Sequence, residues 1–371
     1  MPRYVNMLAT GMKERGHQVQ IWTPRPLFFN LPFNRLKKWL GYIDQYVIFP
    51  RTVRKQMRGC NKQTLFVFTD QAQGPWIPLA VTKPHVIHCH DFLSQISLSD
   101  DNPRNRLGIT GRIYQRYIRA GLSKGKNFIT VSQKTQLDLK SIGVKSIEYS
   151  DVVYNGVSES FKQSDVVKAR SFISSLTGYN LTDGYILNVG SNLWYKNRLG
   201  VIEIYERWTT LAEKVLPIIM VGEGFTPDVL AILSEHPKLQ VIPLSNLSDM
   251  QLQQLYSGAI VLLFPSLAEG FGWPIAEALT CGCPVITTNQ APMTEVGGNF
   301  GTYISSKPFL ANRDETWELE GANAINSIVN LSQSDREVLI SKGVEHAKQF
   351  NKEIVLEKVE TIYKKIVHTN L

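Results

Sequence analysis

Ten short apolar runs set the frame for this 371-residue chain. Five lie early: QVQIWT (18–23), TLFVFT (64–69), HVIHCH (85–90), NFITVS (127–132) and DVVYN (151–155). Five follow: YILNVG (185–190), LPIIMVG (216–222), LQVIP (239–243), AIVLLFP (259–265) and PVITT (284–288). Most are apolar throughout, as strands covered on both faces are. Helix-length amphipathic stretches such as 197–213 stand between them. This alternation implies parallel sheets joined by crossover helices. Two series predict two doubly wound, Rossmann-like α/β domains in tandem. Residues 157–183 hold no strong strand, so the linker is placed there and the division falls between 1–165 and 166–371. The last helix, about 352–371, is able to pack back on the first domain. Ligands of such sheets bind at the carboxyl ends of the strands, so two facing sheets are expected to share a central cleft.

The beginning of the chain departs from that plan. Residues 4–15 already carry a helical pattern, with Val5, Leu8 and Met12 on one face. A doubly wound domain opens with a central strand and a glycine-rich turn. The first strand of the N-terminal domain therefore reads as missing, and an upstream segment carrying it is expected.

Composition narrows the class. Hydrophobic residues make up 43% and charged residues 19%, an ordinary globular mixture. No apolar run reaches the roughly 18 residues of a membrane-spanning helix. The opening residues are charged and amphipathic, unlike a signal peptide. Cys60, Cys89, Cys281 and Cys283 lack zinc spacing, and reduced thiols in the cytoplasm are the simplest account. The net charge of +8 hides an asymmetry: residues 1–160 carry +13 and residues 161–371 carry −5. A basic half suits nucleic acid, anionic lipid or an anionic substrate.

The stretch EGFGWPIAE (269–277) concentrates chemistry. It follows the run AIVLLFP and contains Gly270 and Gly272. Pro274 suits the first turn of a helix, and Gly282 stops that helix. Glycines admit a ligand close to the backbone, and free amides at a helix start suit phosphate oxygens. A carboxylate accepts two hydrogen bonds, which matches a pair of adjacent hydroxyls. Adjacent hydroxyls plus phosphate describe a sugar nucleotide. The bland alternative leaves Glu277 favouring a helix dipole and Glu269 solvated.

PSLAEGFGWPIAEALTCGCPVITTN resembles the signature of the retaining glycosyltransferases of family 4, whose fold is GT-B and whose mark is two glutamates with seven residues between them. RGHQVQIWT, HCHDF, TVSQKTQLDL, YNGV, NVGSNLWYKN and MVGEGF agree in order, so the resemblance covers residues 4 to about 300. It implies that Glu269 binds the donor sugar near its C3 hydroxyl. Gly270, Phe271 and Gly272 supply amides to the sugar and diphosphate, and Glu277 binds the ribose hydroxyls. The family supplies an arginine after a glycine and a lysine about five residues later, to stabilise the leaving diphosphate. Lys196 matches the lysine. Ser191 stands where the arginine is common, and Arg198 is close enough in sequence to compensate. His90 matches a histidine beside the sugar and the reacting centre, whereas His88 reads as a satisfied structural residue. The resemblance implies front-side substitution, in which the diphosphate takes the acceptor proton. No cofactor beyond the nucleotide-diphosphate sugar substrate is implied. No metal site is expected, since Asp100 and Asp101 sit in a polar stretch before Pro103.

The basic half fits the acceptor side. Lys37, Lys38, Trp39, Arg51, Arg54, Lys55 and Arg58 interleave with Phe28, Phe29, Phe33 and Tyr42. Residues 103–126 hold seven cations and no acid. Aromatic and basic residues together suit an anionic membrane surface, and the resemblance implies a saccharide or lipid-linked acceptor on the N-terminal domain. A solvated basic helix face is the competing reading. No nucleic-acid-binding module accompanies the charge. The expected activity is retaining hexosyl transfer from a nucleotide sugar at a cytoplasmic, peripheral membrane location. The rivals are a sugar-nucleotide hydrolase or epimerase of the same fold and a non-catalytic sugar-nucleotide-binding subunit.

Overall fold

Parallel strands need a crossover between them, and every strand pair in the computed structural model of this protein is parallel. The structure describes residues 2–98, 106–308 and 313–369. Asp100 and Asp101 lie outside them. The chain forms two units: residues up to Tyr154 together with those from Val355 onward, and residues Asn155–Ile354. The expected division at 165/166 is thus replaced by one after Tyr154, with the chain returning to the first unit at Val355. Residues 166–177, assigned to a linker by their polarity, form the helix Val166–Thr177 of unit 2. Asp165 caps its start by accepting from the Lys168 amide, and left-handed Gly178 ends it.

Unit 1 contains β1 (Phe66–Phe68), β2 (His85–Cys89), β3 (Asn127–Thr130) and β4 (Tyr149–Val152), paired in that order. β2 and β3 are buried at every position, as their apolar runs require. The helix Pro2–Glu14 buries Tyr4, Leu8 and Met12, with Val5 half-buried. Tyr4, Leu8 and Met12 pack with Val355, Leu356 and Val359 of the helix Lys352–Thr369 and with Val86 and Ile129 of the sheet. The run QVQIWT is not a strand. Residues 18–23 are irregular, Ile21 is 54% exposed, and Trp22 lies against Phe66 at 5.9 Å between ring centroids. A strand exists through its ladder, and β1 pairs with β2 alone.

Unit 2 contains β5 (Ile186–Val189), β6 (Ile218–Val221), β7 (Val241–Leu244), β8 (Val261–Phe264), β9 (Val285–Thr288) and β10 (Gly301–Ile304). Their order is β10-β9-β8-β5-β6-β7. β10 is an edge strand that starts on glycine and is only half-buried over most of its length, so it lacks the continuous apolar signal of its neighbours. Ile186, Val201, Trp208, Val261, Ile286 and Trp317 belong to one core cluster spanning both sheet and helices. The strand sequence runs outward from β5 in one direction and from β8 in the other. The point where it reverses lies between β5 and β8, and such a switch point opens a crevice at the carboxyl ends of the strands.

Candidate active site at the switch point of unit 2

The loops that leave β5 and β8 carry the residues that the sequence singles out. After β5 the chain passes Gly190 and reaches a turn at Trp194–Lys196. Asn197 adopts a left-handed conformation (φ 52°), and a helix runs from Arg198 to Thr209. Buried Asn197 donates from Nδ2 to the Pro265 carbonyl at 3.1 Å, beyond the end of β8. The Leu267 amide donates to the Tyr195 carbonyl at 2.7 Å. These bonds fix one loop against the other.

The consequence is a close ion pair. Lys196 Nζ lies 2.6 Å from Glu269 Oε1, with side chains only 16% and 9% exposed. Ser266 Oγ is 2.8 Å from the same carboxylate oxygen and 2.9 Å from the Tyr195 carbonyl. Its single proton serves one acceptor at a time. Lys196 Nζ also stands over the rings of Phe264 and Tyr195, at 5.3 and 5.5 Å, where the ring faces favour a cation. Among the described residues, the hydrogen bonds of Glu269 run through Oε1. Oε2 keeps its lone pairs for a hydroxyl. The ammonium uses one donor on Glu269, which leaves two for other oxygens.

The second carboxylate is more deeply placed. Gly272, at φ 104°, precedes the helix Trp273–Thr280 with Pro274 in its first turn. A side chain at that φ would be strained. Glu277 is the fifth residue of the helix, one turn in, so it lies beyond the free amides of the helix start. It is 3% exposed and accepts from the Tyr256 hydroxyl at 3.1 Å. Burial first, then the Glu277 charge, raises the ionisation of Tyr256 well above the usual phenol range, so this hydroxyl stays a donor. Phe271 is buried at 3%.

Arg198 opens its helix at 6% exposure. Its Nη1 donates to the Asn192 side-chain oxygen and, at 2.7 Å, to the Glu223 carbonyl. The guanidinium lies 5.2 Å from the Phe225 ring centroid. Among the described residues, Nε and Nη2 have no hydrogen-bond partner. Burial lowers its pKa, and the nearby Glu223 opposes that. Arg198 is thus tied to the loop after β6 rather than to Glu269. That loop comes close: a Cβ on Gly222 would stand 2.1 Å from the Gly190 carbonyl oxygen. Ser191 is half-buried beside Asn192, whose amide donates to Glu223 Oε2 at 3.2 Å.

His90 belongs to unit 1 and the other candidates to unit 2. His90 Nε2 lies 3.0 Å from the Thr69 carbonyl. A carbonyl only accepts, so Nε2 carries the proton and Nδ1 the lone pair. Burial lowers the His90 pKa, with Asp70 acting against it. His88 is bracketed by two hydroxyls, Tyr4 on Nδ1 and Tyr363 on Nε2, both at 2.7 Å. Sequence reasoning misses Tyr256, Ser266, Tyr4 and Tyr363. Each reaches its partner through the fold, and only Ser266, three residues before Glu269, carried a local hint. Among the described residues, no group of three or more His, Cys, Asp or Glu is placed to hold a metal ion, and no helix is long and apolar enough to cross a membrane.

Comparison with known proteins identifies the family and the fold. Residues 1–161 match the family model described as Glycosyltransferase Family 4, and residues 171–314 match that of Glycosyl transferases group 1. The O-antigen chain mannosyltransferase B of Escherichia coli is 30% identical over 192 residues, 49% of this chain and 46% of that protein. The O-antigen chain mannosyltransferase RfbU of Salmonella typhimurium is 26% identical over 222 residues, 59% and 56% of the two chains. The matched stretches span about half the length of these relatives. Sucrose-phosphate synthase from Thermosynechococcus elongatus superposes with a TM-score of 0.73 at 16% identity, covering 99% of this chain and 93% of that one. Anabaena HepE in complex with UDP and glucose gives 0.66 at 18% identity, covering 95% and 88%. At these identities the solved structures speak to the fold alone. With two glycosyltransferase models matched one after the other along the chain, on the fold of those structures, the protein belongs to the family 4 glycosyltransferases of GT-B architecture.

Proposed function

We propose that this protein transfers a hexose from a nucleoside-diphosphate sugar to a saccharide or lipid-linked acceptor, with retention at the anomeric carbon. The observation that carries the reading is the Lys196–Glu269 pair at the switch point. Cleavage of the sugar–phosphate bond moves negative charge onto the leaving diphosphate. A fixed cation there stabilises the transition state more than the ground state. The two spare donors of Lys196 suit those phosphate oxygens, and Glu269 Oε2 suits a sugar hydroxyl. The family resemblance assigns the amides of Gly270, Phe271 and Gly272 to the sugar and diphosphate. Glu277, oriented by Tyr256, takes the ribose hydroxyls. His90 offers Nδ1 as acceptor to a sugar hydroxyl, and Ser191 and Arg198 complete the donor side. Substitution on the front face needs positioning and leaving-group stabilisation, with the diphosphate oxygen receiving the acceptor proton.

The names of the relatives support the finer choices. Two are mannosyltransferases of O-antigen chains, which makes mannose the first sugar to test. HepE binds UDP and glucose, in line with a nucleotide sugar here. The basic face of unit 1 suits an acceptor held at the cytoplasmic surface of an anionic membrane.

Calorimetry separates the two carboxylates. Glu277→Ala should weaken the free nucleoside diphosphate and the intact donor alike, by about 1.5–3 kcal/mol, the worth of hydrogen bonds to a charged group. Glu269→Ala should spare the nucleoside diphosphate while lowering donor affinity and turnover. Unchanged nucleoside diphosphate binding in Glu277→Ala would reject the ribose assignment. Equal losses for both ligands in Glu269→Ala would make that residue structural.

A further inference from the structure

Unit 1 exposes apolar and cationic side chains together, on two segments far apart in sequence. Residues 25–39 are exposed throughout, with Leu27, Phe33 and Trp39 at 58%, 56% and 57%. Large apolar side chains exposed at this density mark an interaction surface. The segment is held in place. Asp44, only 3% exposed, accepts from the backbone amides of Phe28 and Phe29 at 3.0 and 2.9 Å. Asp44 is also the one acidic residue between positions 26 and 58. Burying it leaves the outside of this segment purely cationic.

The second segment is the helix Ile109–Leu122. Ile109, Ile113 and Tyr117, four residues apart and so on one face, are 78%, 59% and 47% exposed. Exposed Arg112 and Arg116 flank that stripe. Tyrosines join the segments: Tyr42 stacks on Tyr114 at 6.2 Å, and the Tyr46 hydroxyl donates to that of Tyr114 at 3.0 Å. Lys37 Nζ stands 5.7 Å over the Phe29 ring and Lys38 Nζ 5.9 Å over Tyr42. The following helix, Phe49–Met57, buries Phe49 and Val53 and turns Arg51, Arg54 and Lys55 to solvent.

We propose that this face docks on an anionic lipid bilayer. Its aromatic and aliphatic side chains enter the headgroup boundary, and its lysines and arginines meet lipid phosphates. Charge complementarity selects this occupant: a surface without exposed acid among the described residues of these segments attracts an anionic one, and its apolar stripe asks for a partner with an apolar layer beneath the charge. The inference deepens the membrane part of the proposed function. Its test reads binding alone, so its failure leaves sugar transfer to a soluble acceptor as a separate question.

Flotation of the full chain with phosphatidylcholine vesicles, with and without phosphatidylglycerol, provides that test. The protein should float with the anionic vesicles and be partly released as salt rises, because screening weakens only the charge contribution. Replacing Lys37, Lys38, Arg54 and Lys55 with glutamine should lower partitioning at low salt by about a thousandfold. The pair Trp39→Ala and Ile113→Ala should lower what survives at high salt by about tenfold. All these side chains are exposed or half-exposed, and thermal melts should show both variants folding as the parent does. Equal binding to neutral and anionic vesicles would overturn the proposal. So would dimers in ultracentrifugation that vanish in Trp39→Ala with Ile113→Ala, which would give the face to a second copy. Binding to single-stranded polyuridylate that outcompetes the vesicles and ignores the apolar substitutions would give it to nucleic acid.

Discussion

The two units differ in how they house buried ionisable groups. Unit 1 gives them neutral partners. His88 sits wholly buried between the hydroxyls of Tyr4 and Tyr363, and burial pushes its pKa down from 6.5 to about 3. Unit 2 uses neutral partners too, as Tyr256 for Glu277, but adds pairs of opposite charge. Lys196 meets Glu269, Lys307 meets Glu203, and Arg313 grips Glu318 through Nε and Nη2 at 2.7 and 2.6 Å. Glu203 and Glu318 are 3% and 2% exposed. The difference teaches where each unit is vulnerable. A neutral buried imidazole fails when acid forces a proton on it. A buried ion pair fails when one partner is removed, because the other is left uncompensated.

The largest expected effect is acid sensitivity of unit 1. Below pH 6.5 the unfolded chain takes a proton on His88 that the folded chain refuses until about pH 3. Its contribution to stability is therefore complete above pH 6.5 and is lost as pH falls through that window. At about 1.4 kcal/mol per pH unit the loss approaches roughly 5 kcal/mol. His85 and His90 are shifted downward by burial too and add to it. Hydrogen exchange should show β2 losing protection from pH 7 to 4, and His88→Gln should flatten the slope. Parallel slopes in both proteins would erase the contrast.

Next comes the ion pair. Lys196→Ala should lower turnover roughly 10²–10³-fold, as loss of a donor aimed at developing charge does. Donor binding should fall much less. A double variant with Glu269→Ala should cost less than the two single losses combined, since the partners act as a unit. Additive losses in kcat would show that the pair is not one device.

The smallest effect compares like with like. Tyr256→Phe removes the hydroxyl from Glu277 and should weaken nucleoside diphosphate binding by about 1 kcal/mol, roughly fivefold. Tyr363→Phe removes one from His88 and should change stability alone. A nucleotide effect from Tyr363→Phe would break the division of labour.

Much of this was legible in the chain itself. Nine of the ten apolar runs mark strands of the two sheets, because strands covered on both faces are mostly apolar. QVQIWT misleads because its apolar pattern says nothing about a ladder partner. GTYI, now β10, stays silent because an edge strand needs no continuous apolar run. Glu269 and Lys196 stood out through glycine loops at strand ends, yet their contact at 2.6 Å depends on Asn197 bonding Pro265. The Tyr4–His88–Tyr363 relay joins positions 84 and 275 residues apart. Such separations leave no local trace.

That relay has a temporal side. Tyr363 and Leu356 belong to unit 1, but residues 155–354 of unit 2 precede them. At roughly 5–20 residues per second, a ribosome spends about 10–40 s between releasing the first part of unit 1 and delivering the helix that covers it. Throughout that interval Tyr4, Leu8, Met12 and one nitrogen of His88 lack their native cover. Unit 2 completes its sheet meanwhile. During synthesis the core of the first unit therefore stays incomplete until the chain comes back.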